Sequence, residues 1–424
     1  MPDSQETFTI LSIDGGPAAP VQVRMLRKVE ERYPGFLAST DMFAGTSDGA
    51  MVGMFLASRL PKDYETAKRI SLDLLDDAIE FSDATVRALE PSLGGMAWFA
   101  TGTRPLIQLT RLERILDDAF GNMMVSDIER SALVTSFDCG TWQPANIIKI
   151  DDRYQLNCNG TIREAILGSS ALPMYTPVYR GADRHQHLDG VFVANNPSLY
   201  AATCFVDLLV RPENYSLDTA PQSHDKAMTM LRVLSLGLTE SNTVDPRPVE
   251  TRPTLLQQWL NLPPGKPTLG PLQWGWCNWI VQRPGILPSM FHQAQNSMTA
   301  WESEALFDTS CYFRYAPLGP TVSVVWDIAR GHAGKFLRDA DKLAKKEWAG
   351  RDTRQDQSKP LLGKLPVQEM LDWIRTQWLA KPVPNASPQP FFDPSQPPAP
   401  PDSPLPSSPS TPKARRSRSA RNSQ

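Results

Sequence analysis

Asp41-Met42-Phe43-Ala44-Gly45-Thr46-Ser47-Asp48-Gly49 runs directly into the apolar stretch at 50–60, and the change of pattern inside it sets the fold. A short β-prone run gives way at Gly45 to a tight turn. Residues 50–60 are then apolar nearly all round, as a buried helix is. Pro61 stops that helix. Upstream, residues 7–13 form a β-rich run that stops at Asp14-Gly15-Gly16. Val23, Leu26 and Val29 then place an apolar stripe beside a charged face, and Pro34-Gly35 ends that helix. The order strand, loop, helix, strand, turn, helix predicts an α/β domain with a mostly parallel sheet.

Downstream, residues 64–89 and 106–120 read as amphipathic helices, and 132–137 and 147–150 as strands. A short helix over 162–168 precedes the loop Ser169-Ser170-Ala171-Leu172-Pro173. His187-Leu188 ends a short strand at Asp189-Gly190. A helix is expected over 197–209 with Asn196 as its N-cap, then an apolar strand over 228–236. From about 244 to 288 prolines and tryptophans dominate and periodicity weakens. There Trp274, Trp276 and Trp279, with Leu272 and Ile280, read first as core or lid packing and second as an interfacial anchor. Helices are expected over 334–348 and 366–378. Residues 381–424 are rich in Pro and Ser, too poor in apolar surface to fold alone, and end in a basic run from Lys413 to Arg421.

The chain has 424 residues and a formal net charge of -3, so nothing global attracts it to nucleic acid or anionic membrane. No nucleic-acid partner is expected. Five cysteines are scattered without C-x-x-C spacing, which suits a reducing compartment better than a disulfide scaffold. The first residues lack a basic segment followed by an apolar one, so no signal peptide is read. The apolar run at 50–60 falls short of the roughly 20 residues that span a bilayer. A cytoplasmic protein is expected, with peripheral membrane contact left open.

Three segments carry candidate chemistry. Gly45-Thr46-Ser47-Asp48-Gly49 fits G-x-S-x-G, in which a nucleophilic serine stands on a sharp strand-to-helix turn. The following helix directs its N-terminal dipole toward developing negative charge. The competing reading is a tight turn without activity. Asp14-Gly15-Gly16, at the end of the first strand, can aim backbone N–H groups at an oxyanion or a phosphate. It lacks both G-x-G-x-x-G and G-K-[ST], which argues against a dinucleotide or P-loop site. Asp189-Gly190 places a carboxylate at a strand end, where α/β clefts open. An Asx turn is the plain alternative.

Together these segments resemble the patatin-like phospholipase family, which carries D-G-G-G-x-[RK]-G, G-x-S-x-G and D-G-[GA] in that order. The stretch at 169–173 and the strand Val233-Leu234-Ser235-Leu236-Gly237 are also similar to segments of that family. The resemblance spans roughly residues 6–240. It implies a three-layer sandwich whose mostly parallel central sheet is flanked by helices. A C-terminal extension over 241–380, helical in part, and a disordered tail over 381–424 would follow.

The resemblance further implies a Ser–Asp dyad, with Ser47 as nucleophile, Asp189 as base, and Gly15 and Gly16 in the oxyanion hole. The implied activity is phospholipase A-type or lysophospholipase hydrolysis of a lipid substrate, through an acyl-Ser47 intermediate and with no metal or organic cofactor. This chain departs from the pattern at Pro17, Ala19 and Pro20, which replace the family's third glycine, its basic residue and its final glycine; Val191 departs at the third motif. Proline has no N–H. Two alternatives follow: a weakly active or non-catalytic lipid-binding relative, and a Ser–Asp–His esterase of the α/β-hydrolase type using His292 or His332.

Overall fold

The computed structural model describes residues 7–16, 19–91, 104–150, 154–181, 185–215, 221–237, 286–317, 332–348 and 367–379. Pro17, the tryptophan cluster and the tail at 381–424 lie outside them. β1 (Phe8–Ile13) is buried along its whole length, as a central strand covered on both faces must be. It is followed by α1 (Ala19–Arg32), β2 (Met42–Gly45), α2 (Asp48–Arg59), α3 (Tyr64–Ala88) and α4 (Thr110–Phe120). Next come β3 (Ser131–Val134), β4 (Ser136–Asp138), β5 (Gln143–Pro144), β6 (Ile147–Ile150) and β7 (Tyr154–Leu156). Then follow α5 (Ile162–Ser169), β8 (Tyr179–Arg180), β9 (Gln186–Asp189), α6 (Ser198–Val210), α7 (His224–Thr229) and β10 (Leu231–Leu236). The C-terminal part supplies α8 (Ile286–Leu306), β11 (Tyr312–Tyr315), α9 (Ala333–Trp348) and α10 (Val367–Trp373).

The main sheet has seven strands in the order β11-β10-β1-β2-β3-β6-β7. Strands β11 through β3 are parallel, and β6 and β7 close the other edge antiparallel. A smaller antiparallel sheet runs β5-β4-β9-β8. The layering follows from the two-residue period of a strand. Leu11, Ile13, Phe43, Val134, Leu234 and Leu236 pack with α1, α2 and α3 on one face. Ile10, Met42, Ala44, Leu133, Leu231 and Val233 pack with α6 on the other. The result is helix, sheet, helix, with the mostly parallel sheet in the middle.

Several local readings change, and the helix expected from 197 begins at Ser198 with Pro197 rather than Asn196 at its cap position. The single strand expected at 132–137 is two strands, β3 and β4, in different sheets, because the chain turns at Thr135 to leave one for the other. The strand expected from 228 begins only at Leu231. Residues 224–229 are helical, with the Ser223 hydroxyl accepting the Lys226 N–H at 3.3 Å as an N-cap. The helix expected from 106 starts at Thr110. The last helix continues past α10 as a π-helical turn at Ile374–Trp378. Among the described residues, no helix is long and apolar enough to cross a membrane.

Candidate active site

Ser47 stands where β2 turns into α2, with φ 52° and ψ −120°. A side chain rarely adopts that conformation, and it is the kind of backbone strain that functional turns store. The surroundings explain how the turn is tolerated. A Cβ on Gly45 would stand 2.5 Å from the Gly49 carbonyl oxygen, and one on Gly49 would collide with the carbonyls of Ile13 and Asp14. Both positions therefore need glycine. The Ser47 N–H donates to the Ser169 hydroxyl at 2.8 Å, tying the turn to the end of α5. The Thr46 hydroxyl, beside it, donates to the Ala194 carbonyl at 2.6 Å and lies 2.7 Å from the Thr135 hydroxyl.

Asp189 ends β9, opposite Ser136 of β4. The turn of the chain at Thr135 thus brings β9 to the end of β3. The Ser47 hydroxyl donates to Asp189 Oδ2 at 2.9 Å. The Val191 N–H donates to Oδ1 at 2.9 Å and fixes the carboxylate in its plane. The Asp189 N–H donates to the Ala171 carbonyl at 3.0 Å. The 169–173 stretch therefore holds both partners, Ser47 through Ser169 and Asp189 through Ala171. Gly190 is packed against Thr135 so closely that any Cβ would clash.

Burial dominates the electrostatics. Asp189 is 2% exposed, and desolvation pushes its carboxyl up to about 7, against the opposing pull of the Val191 N–H and the Ser47 hydroxyl. The neighbouring Asp48 carboxylate pushes the same way. Asp48 is itself pushed up to about 7 by burial.

The Asp14-Gly15-Gly16 loop leaves β1 beside the elbow. Asp14 is buried against Arg314 of β11, whose guanidinium donates to both carboxylate oxygens, at 3.1 and 2.5 Å. The Asp14 charge holds Arg314 protonated, above the usual arginine range. Arg314 also donates to the Ser235 hydroxyl at 2.7 Å, which lies 3.1 Å from Asn196 Oδ1. A charged network under the loop thus fixes its start. The Gly15 N–H, expected in the oxyanion hole, instead donates to the Asn195 carbonyl at 2.9 Å. Gly16, with φ +90°, follows it. Asp48 is the first residue of α2, so its N–H has no intrahelical acceptor.

Neither candidate histidine stands between the nucleophile and the carboxylate. Ser47 meets Asp189 directly, with no imidazole between them. His332 is exposed and precedes α9, where its carbonyl accepts the Lys335 and Phe336 N–H groups. His292 lies on α8 beside Gly16. Sequence reasoning singled out the 169–173 stretch and His292 but missed what Ser169 and α8 contribute, and it missed Arg314, which belongs to no local motif. Among the described residues, no group of three or more His, Cys, Asp or Glu is arranged to hold a metal ion.

Comparison with known proteins bears on the family. Residues 11–202 match the model of the family Patatin, described as patatin-like phospholipase. That stretch contains the elbow, the glycine loop and Asp189. No curated protein matches the chain. Among solved structures, VipD from Legionella pneumophila aligns with 12% identity and a TM-score of 0.28, over 57% of this chain and 51% of that one. The chain thus spans about half the length of that protein, and the likeness is too slight to add to the family match. Residues 11–202 are thus similar to the patatin-like phospholipase family.

Proposed function

We infer that the protein is a lipid acyl hydrolase, of phospholipase A or lysophospholipase type, that works through a Ser47–Asp189 dyad. The observation that carries this is the 2.9 Å hydrogen bond from the Ser47 hydroxyl to a buried carboxylate. A serine hydroxyl attacks an ester only when a positioned base takes its proton. An ordinary aspartate is a weak base, and one raised to about 7 is far better matched to the task. In the forward step Asp189 takes the Ser47 proton as Oγ bonds to the ester carbonyl carbon. The N–H groups of Gly16 and Asp48 receive the oxyanion. Collapse expels the alcohol, which leaves with the proton from Asp189. Water, deprotonated by the same carboxylate, then releases the fatty acid from acyl-Ser47.

The lipid class rests on the family match and on an apolar rim. Phe192, three residues after Asp189, is 42% exposed, and Met290 and Phe291 of α8 are 48% and 43% exposed. The Phe192 and Phe291 rings lie 6.0 Å apart. An acyl chain leaving the ester has apolar surface to follow there.

The test is hydrolysis of a p-nitrophenyl acyl ester and of a lysophospholipid by the parent, Ser47→Ala and Asp189→Asn, with fluorophosphonate labelling alongside. The parent is expected to turn over and label, Ser47→Ala to do neither, and Asp189→Asn to lose at least about 10³-fold in kcat. Variants as active as the parent would end the dyad reading. A parent that neither hydrolyses nor labels would favour a lipid-binding protein without catalysis, the outcome to which Pro17 points.

A further inference from the structure

His292 lies outside the matched domain and outside every motif, yet α8 carries it to the edge of the oxyanion loop. Its Nδ1 stands 3.7 Å from where a Cβ on Gly16 would be. Gly16 presents only hydrogen on that side, so imidazole and loop backbone face each other without an intervening side chain. The placement is not loose. Gln295 Oε1 accepts the Asn195 N–H at 3.3 Å, and Asn296 Oδ1 accepts from Asn195 Nδ2 at 2.9 Å. Phe291, the preceding residue, contacts Phe192 beyond Asp189. The helix therefore bridges the loop after β1 and the turn after β9, the two segments that flank Ser47.

The donor inventory near the elbow is short. Among the described residues the Gly15 N–H goes to Asn195 and the Ser47 N–H to Ser169. Pro17 has no N–H to give. His292 Nε2 is buried with no hydrogen-bond partner among the described residues. A buried, unpaired N–H is costly, so the ring proton is better held on Nδ1, the nitrogen turned toward Gly16. Burial also lowers the imidazole to about 4, so the ring is neutral at pH 7, with one N–H to donate.

We propose that His292 is a catalytic residue that donates its Nδ1–H to the carbonyl oxygen of the scissile ester, as an oxyanion donor beside a glycine loop that is short of free N–H groups. No covalent change occurs at the ring. The hydrogen bond tightens as the carbonyl oxygen takes up negative charge and relaxes when the acyl-enzyme forms. This rests on the Ser47–Asp189 reading and adds a third donor to it.

The test compares His292→Phe, which keeps a flat ring without a donor, with His292→Gln, which keeps an N–H. Each is assayed on a p-nitrophenyl acyl ester with kcat and KM separated and the melting temperature measured. His292→Phe is expected to lose about 10²-fold in kcat, the usual cost of one oxyanion donor, at unchanged KM and melting temperature. His292→Gln is expected to recover part of the loss. A His292→Phe variant within threefold of the parent would overturn the proposal. So would a loss that appears in KM or tracks a lower melting temperature, because that marks a packing role. If the parent itself neither turns over nor labels at Ser47, the hydrolase reading falls and this donor falls with it.

Discussion

At the scale of single residues, the site turns on how burial sets the charge of two carboxylates. Asp189 can accept the Ser47 proton only when ionised, and its carboxyl is pushed to about 7. Hydrolysis is therefore expected to rise about tenfold per pH unit below that value and to level off above it. Asp48 contributes to the shift through like-charge repulsion. Asp48→Asn removes that repulsion and favours ionised Asp189, so the acidic limb of kcat/KM against pH should move to lower pH. A limb that stays in place would remove Asp48 from the account. The sign for stability is opposite. Folding raises Asp189 from 3.8, so the folded chain holds a proton that the unfolded chain releases between about 4 and 7. That contribution to stability is full below about 4 and is lost as pH rises through 7. Ser47 was legible because its motif is local. Asp189 gained meaning only from the order of three motifs. Ser169 and His292 were named, but their contacts were not legible, because what they touch lies 122 and more than 270 residues away along the chain.

At the scale of elements, the strongly patterned segments read correctly: the buried run of β1, the all-apolar α2 and the amphipathic α3. Several elements escaped, β5, β7, β8, α7, α8 and β11 among them, and of these β11 and α8 bear on the site. β11 is four residues, Tyr-Phe-Arg-Tyr, with a charge in the middle of a buried strand. α8 mixes Gln, Asn and Ser into an apolar stretch and shows no clean stripe. Both omissions have one cause: their polar residues face polar partners inside the protein. Arg314 faces Asp14, and Gln295 and Asn296 face Asn195. Periodicity counts such residues as surface. β11 thereby anchors the glycine loop from the far end of the chain. Arg314→Met would leave the Asp14 charge buried and unpaired, and is expected to cost about 3–5 kcal/mol of unfolding free energy. Asp14→Asn in that background should restore much of it, measured by urea denaturation of both single variants and the double. Additive losses would show that the two side chains do not depend on each other.

At the scale of the whole molecule, the family match stops at residue 202 while the core does not. Met370, Trp373, Ile374 and Trp378 are buried in the same cluster as Phe36, Leu37 and Phe313. The Phe36 and Trp378 rings lie 5.1 Å apart, and Trp378 Nε1–H donates to the Ser39 hydroxyl at 3.0 Å. Trp373 Nε1–H donates to the Thr309 carbonyl at 2.8 Å. Ala340 and Ala344 of α9 belong to this cluster with Val21 and Val29 of α1. Without the C-terminal elements, β10 would become an open edge that exposes its backbone groups, and α1 would lose an apolar cover. A chain ending after Gly237 keeps every motif of the dyad and the whole matched domain. It is nonetheless expected to lack a cooperative thermal transition, to bind a hydrophobic dye and to show no ester hydrolysis. The point variant Trp378→Ala tests the same dependence more gently, with an expected loss of about 3–5 kcal/mol from the cavity it leaves. A truncated chain that melts cooperatively, or a Trp378→Ala variant as stable as the parent, would show that the first 237 residues fold without the rest.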